Sequence, residues 1–93
     1  MVAKGVSVGL GSYVQADRRL DSRLAAGVIS IPGIKSFEIG LGVGYAAGFG
    51  SQVHDAIYYN NKKGYFRLTN NAGGIEGGIS NGQQIVLRAC MKP

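Results

Sequence analysis

Ninety-three residues suffice for one small domain, which at this size buries only roughly 60–65% of the surface its unfolded chain exposes, so the core is lean. Glycine, at 16 residues, stands at more than twice its usual ~7% and marks tight turns or close backbone approaches, while the net charge of +5 suits a phosphorylated ligand or a nucleic acid without choosing between them. No apolar run reaches the ~20 residues of a membrane span, and the single cysteine, Cys90, excludes an internal disulfide and fits a reducing cytoplasm.

Met1–Gly11 carries one lysine and no long apolar stretch, so it does not read as a signal peptide. Val6, Val8 and Leu10 alternate with Ser7 and Gly9, which predicts a strand over Gly5–Gln15. Asp17 is a favourable N-cap for the helix predicted from Arg18 to about Ile31, where Leu20, Leu24, Val28 and Ile31 recur at helical spacing. Pro32-Gly33 stops that helix. Ile34, Phe37, Ile39 and Leu41, interleaved with Ser36, Glu38 and Gly40, predict a second strand and complete a strand-helix-strand unit.

Gly42–Ser51 holds four glycines and predicts a mobile loop. Val53–Tyr59 predicts a short strand or an irregular piece, Asn60–Gly64 a turn, and Tyr65–Thr69 a strand. Gly73–Ile79 and Gln83–Met91 flank Asn81-Gly82, the dipeptide that most strongly signals a two-residue hairpin. The fold class is therefore α+β: a strand-helix-strand unit plus an antiparallel hairpin sheet. Residues 1–93 form a single domain with no internal repeat or linker.

Gly42-Val43-Gly44-Tyr45-Ala46-Ala47 matches a loose dinucleotide-binding fingerprint, yet no amphipathic helix opens there and no acidic residue follows at the required distance. His54, the only histidine, adjoins Asp55, but sequence neighbours point to opposite sides of an extended chain. With no second histidine a metal site is not expected. Cys90 reads as a small apolar strand residue. Lys62 and Lys63 lie among Tyr58, Tyr59, Tyr65 and Phe66, a mix seen in single-strand nucleic-acid surfaces, but no nucleic-acid signature accompanies them and a solvated turn is the simpler reading. Thr69–Gly82 carries two glycine pairs and small polar side chains. Such backbone can cradle an anion or lie flat on a planar ring, and it can equally be an edge hairpin; the residues alone leave these readings open.

Thr69-Asn70 through Gly82, with Ile85-Val86 and Met91-Lys92-Pro93, resembles the signature region of chorismate synthases. Gly9-Leu10-Gly11-Ser12, Asp17–Leu24, Ser30-Ile31, Glu38-Ile39-Gly40 and Gly50–Asp55 fit the same family in the same order. The resemblance runs from about Val8 to Pro93. It implies a place in the family's β-α-β sandwich, residues 1–93 being a partial domain of it. It also implies the family's lyase reaction, in which 5-enolpyruvylshikimate 3-phosphate loses phosphate and a ring proton to give chorismate in aromatic amino acid biosynthesis. Reduced FMN is the implied cofactor, a phosphorylated shikimate-derived compound the substrate, the cytoplasm the location, and a homo-oligomer the assembly. Neither nucleic acid nor membrane is an expected partner.

By match to the family's motif, Pro32, Gly33 and Gly77 fall where flavin contacts occur, and Lys92-Pro93 begins the segment that meets the flavin phosphate. No catalytic residue is carried over, since the family's two catalytic histidines have no equivalent here, and His54 matches a different position. Gly48-Phe49, Ala56 and Leu68 depart from the family's commoner residues, which weakens a substrate-gripping role for this loop. The piece alone is expected to be inactive. The alternative is a non-catalytic binding or scaffold module that keeps the fold.

Overall fold

The strand expected over Gly5–Gln15 does not form, and the glycines within it are the reason. In a computed structural model that describes residues 1–93, Gly5, Gly9 and Gly11 have φ of 72°, 92° and 107°, outside the range of an extended strand. What remains is a short β1 at Val2–Ala3 and a single antiparallel bridge from Gly11 to Ile79. Helix α1 runs over Leu20–Ile29 with Arg19 at its N-cap position and no side-chain cap hydrogen bond, and Asp17 lies in a preceding 3-10 turn at Ala16–Arg18. The chain then turns at Pro32-Gly33, with Gly33 at φ 88°, as the helix stop requires. Strand β2 follows at Ile34–Ile39.

Gly42–Ser51, expected as a mobile loop, is instead a 3-10 turn over Gly42–Ala47 followed by a helical turn, α2, at Gly50–Val53. The Gln52 side chain accepts from the Phe49 N–H at 3.0 Å and closes the start of α2. Strands β3 (Ile57–Asn60) and β4 (Gly64–Arg67) form the expected hairpin around Asn61-Lys62-Lys63. Tyr58 stacks near Phe66 at 5.8 Å between ring centroids, and Tyr59 near Tyr65 at 5.2 Å, one pair on each face.

The second hairpin differs from the sequence expectation. Its turn is Gly77-Gly78, between β5 (Ile75–Glu76) and β6 (Ile79–Ser80), and not Asn81-Gly82. Both turn glycines have positive φ, 58° and 83°, the requirement of a tight two-residue turn whose twist suits paired strands. Gly73 and Gly74 also have positive φ, 67° and 83°, so no continuous strand can run from Gly73 to Ile79. Asn81 instead folds on itself, its Oδ1 accepting from the Gln83 N–H at 3.0 Å, and redirects the chain. Strand β7 (Ile85–Met91) therefore pairs with β2, in the register Phe37 to Ala89 and Ile39 to Leu87. The result is a three-stranded antiparallel sheet in the order β1-β7-β2, with α1 lying on β2.

Only nine residues are buried, and the apolar core among them is Ile75, Ile85 and Leu87. Asp55 and Ser80 are buried as well, and the remaining four are Gly40, Gly73, Gly74 and Gly78. Backbone packed on backbone thus fills nearly half of the interior. Ser80, 2% exposed, shows what that demands: its hydroxyl donates to the Ser7 carbonyl at 2.5 Å and accepts from the Leu10 N–H at 2.8 Å. Both groups would otherwise be left partnerless beside the turn.

The accessible surface, 6596 Å², exceeds the ~5100 Å² of a compact monomer of 9.7 kDa. The radius of gyration, 14.3 Å, exceeds the ~12.3 Å of a compact 93-residue domain. Seventeen large hydrophobic side chains are exposed, among them Val43, Phe49, Ile57, Tyr65 and Leu68. Half of the apolar face of β7 follows suit: Ile85 and Leu87 are buried, Ala89 and Met91 are not. No helix is long and apolar enough to cross a membrane.

Candidate functional site

Hydrogen bonds to several other segments tie the ribbon from Asn70 to Gly82 in place. Its backbone N–H groups look, on paper, like an anion cradle. Four of them are already taken by the protein itself. Asn71 and Ala72 donate to the Asp55 carboxylate, at 2.8 Å to Oδ1 and 2.8 Å to Oδ2. Gly73 donates to the Asn70 carbonyl at 3.1 Å, and Gly74 to Asn70 Oδ1 at 2.9 Å. The cradle exists, but its anion is built in.

Asp55 is delivered from the last residues before β3, and Thr69, just past β4, donates its hydroxyl to Asp55 Oδ1 at 2.6 Å. The carboxylate thus joins the two feet of the β3–β4 hairpin and pins both to the ribbon. Burial by itself raises the Asp55 pKa, yet the Thr69 hydroxyl, the Ala72 and Asn71 amides and the nearby Arg67 charge outweigh it, and the carboxyl lies below its ordinary value. Asp55 is 7% exposed, so its charge belongs to the interior and not to solvent.

The sign of the resulting pH dependence follows directly. A carboxyl with a lowered folded-state pKa adds stability that is present above its unfolded value, about 4, and lost as pH falls through the folded one. Asp55→Asn should flatten the melting temperature against pH below about pH 4, where the parent chain should decline steeply. Equal acid sensitivity in both proteins would remove Asp55 as the cause.

Around this clamp the ribbon is fixed on three sides. Asn70 Nδ2 donates to the Gln84 carbonyl at 2.7 Å, and Asn71 Nδ2 to the Val53 carbonyl at 3.1 Å. Leu41 N–H donates to the Asn71 carbonyl at 2.7 Å, locking the ribbon over the end of β2. Beyond, the Leu20 N–H donates to the Gly78 carbonyl at 2.8 Å, so the hairpin turn sits at the start of α1. Arg67 and Glu76 pair at 2.6 Å; the hydrogen bond from Arg67 lowers the Glu76 carboxyl, and Glu76 in turn raises Arg67. Glu76 is 43% exposed, so this pair contributes little, of order 1 kcal/mol or less. The Tyr45 hydroxyl is pushed up, first by burial and then by the Asp55 and Glu76 carboxylates.

The five positions singled out as flavin-facing fall into two groups. Gly33 and Lys92 meet at one end of the sheet, the Lys92 N–H donating to the Gly33 carbonyl at 2.9 Å, with Pro32 and Pro93 flanking them. Gly77 stands at the opposite end of α1, whose ten residues span about 15 Å. A Cβ built on Gly77 meets nothing within 4 Å, so its backbone is open to a flat ligand. FMN presents a planar ring and a phosphate at opposite ends of an extended ribityl chain. An open glycine at one place and an exposed lysine at the other are the kinds of group that a flat ring and a phosphate call for.

His54 is exposed, and neither a hydrogen bond nor an ion pair joins it to Asp55. No group of three metal-ligating side chains occurs. Asp55 is the residue that sequence reasoning passed over. It stood beside a more conspicuous histidine and at the end of the Gly50–Asp55 stretch, and nothing in local spacing links it to Thr69, fourteen residues on.

Comparison with known proteins bears on every residue. The family model for chorismate synthase matches residues 1–93. The chain is 57% identical over 93 residues to the chorismate synthase of Caldicellulosiruptor bescii, covering 100% of this chain and 24% of that protein. It is 63% identical over 89 residues to that of Desulforamulus reducens, covering 96% and 23%, and 60% identical over 93 residues to that of Thermoanaerobacter pseudethanolicus, covering 100% and 27%. A crystal structure of a chorismate synthase superposes with a TM-score of 0.92 at 56% identity, over 99% of this chain and 27% of that one. The chain thus spans about a quarter of the length of the relatives it matches. With the whole of its sequence and its α+β fold matched, the chain belongs to the chorismate synthase family.

Proposed function

We propose that these residues serve chorismate synthesis: the conversion of 5-enolpyruvylshikimate 3-phosphate to chorismate and phosphate with reduced FMN. The observation that supports this most is identity of 57–63% to proteins of that name along nearly every residue of the chain. The role assigned to this segment is part of the flavin site. Gly77 offers open backbone to the ring, Lys92 offers a cation to the phosphate, and Pro32, Gly33 and Pro93 shape the chain beside Lys92. When bound, the flavin lends electron density transiently as phosphate leaves the substrate. The segment's own contribution is to hold and orient it with backbone dipoles and positive charge fixed before the reaction begins. We assign no catalytic residue here. The assembly we assign is a homo-oligomer in the cytoplasm, for which the exposed apolar side chains supply the surface.

The test is a graft. The 93 residues replace the matching segment of the Thermoanaerobacter pseudethanolicus enzyme, and chorismate is assayed anaerobically with reduced FMN and substrate. The graft should form chorismate and elute as an oligomer on gel filtration, while the isolated 93-residue chain should form none. A folded graft that makes no chorismate would favour the scaffold reading instead.

A further inference from the structure

We propose that Asp55 is a positioning residue for flavin binding: its carboxylate fills the amide nest of Asn71 and Ala72 and so sets the course of the ribbon that presents Gly77. The flavin part of this rests on the proposed function; the nest does not. Three observations carry it. First, the carboxylate has three partners at 2.6–2.8 Å on three residues of one short stretch, Thr69, Asn71 and Ala72. Second, it is buried, so it cannot reach a substrate and can act only through the chain it holds. Third, the stretch it holds leads, without a free amide between Asn71 and Gly74, into β5 and the Gly77-Gly78 turn. Successive N–H groups arranged in this way are a common seat for a free oxyanion. Here the seat is filled from sixteen and seventeen residues away in sequence.

An anion held by a nest can be replaced by another anion of the same shape. Asp55→Ala in the grafted full-length enzyme should weaken FMN binding roughly tenfold or more, the usual scale for losing a residue that orients binding groups. It should also speed amide hydrogen exchange at Asn71 and Ala72. Formate in excess should restore both, and chloride at equal ionic strength should restore neither. Asp55→Asn, which fills the seat but turns an NH2 toward the same donors, should weaken FMN binding without any response to formate, and it serves where Asp55→Ala does not fold. Thr69→Val removes one partner and should give a smaller loss, also unresponsive to formate.

Exchange at Asn71 and Ala72 that is unchanged in Asp55→Ala, or formate that restores nothing, overturns the positioning role. Exchange that accelerates and recovers with formate while FMN affinity never moves overturns the flavin assignment and leaves the nest standing.

Discussion

Gly40→Ala should destabilise the protein severely. A Cβ at Gly40 would lie 2.1 Å from the Asn71 carbonyl oxygen, 2.5 Å from the Gly73 nitrogen and 2.7 Å from the Ala72 carbonyl carbon. All three are backbone atoms, and they cannot retreat. The Asn71 oxygen accepts from Leu41, Ala72 is tied to Asp55, and Gly73 is bonded to Val86. Gly40 itself donates to the Val86 carbonyl at 2.8 Å, accepts from Arg88 at 2.6 Å, and has φ 58°. The strain of the backbone and the clash together should cost at least about 3 kcal/mol. A domain of this size is stable by only ~5–15 kcal/mol, so that loss is a large share. Gly27→Ala is the control. It sits in α1 with nothing within 4 Å of the added carbon, and should stabilise by about 0.5–1 kcal/mol. Urea denaturation of both variants measures the contrast. A Gly40→Ala protein within about 1 kcal/mol of the parent would mean that the ribbon does not cross β2 as described.

Leu87→Ala should have the next largest effect. Leu87 is 5% exposed at the middle of the central strand and is one of only three buried apolar side chains. Removing a buried leucine to its Cβ costs about 2–5 kcal/mol, depending on how far the surroundings collapse. Collapse is limited here because much of the neighbouring interior is glycine backbone, whose hydrogen bonds resist movement. Leu68→Ala, at a side chain 74% exposed, should change stability by less than about 0.5 kcal/mol. Chemical denaturation separates the two. A Leu87 loss no larger than that at Leu68 would contradict the core placed on β7.

The elements that were legible were those written by side-chain periodicity. Leu20, Leu24 and Val28 announced α1, and alternation from Ile34 to Ile39 announced β2. Asn61-Lys62-Lys63 announced the turn between β3 and β4. What misled was glycine, because a sequence states that glycine is present and not the sign of its φ. Gly5, Gly9 and Gly11 dissolved an expected strand. Gly77-Gly78 took the hairpin turn that Asn81-Gly82 had advertised, and β7 was thereby freed to pair with β2 across some fifty residues of chain. At the site, the ribbon was legible as special, but not its state. Whether its amides were open or filled depended on Asp55, whose partners come from beyond an intervening hairpin.

Gly77 offers the most direct measurement, because apart from its sequence neighbours no atom of this chain lies within 4 Å of a Cβ added there. At φ 58° asparagine is tolerated, so Gly77→Asn reports the effect of backbone strain with little added bulk. Gly77→Tyr adds a ring at the same point. With the 93 residues in a full-length enzyme, FMN titration should show Gly77→Tyr binding roughly tenfold more weakly than Gly77→Asn, at similar melting temperature. A tyrosine variant that holds FMN as tightly as the parent would contradict a ribbon turned toward the flavin.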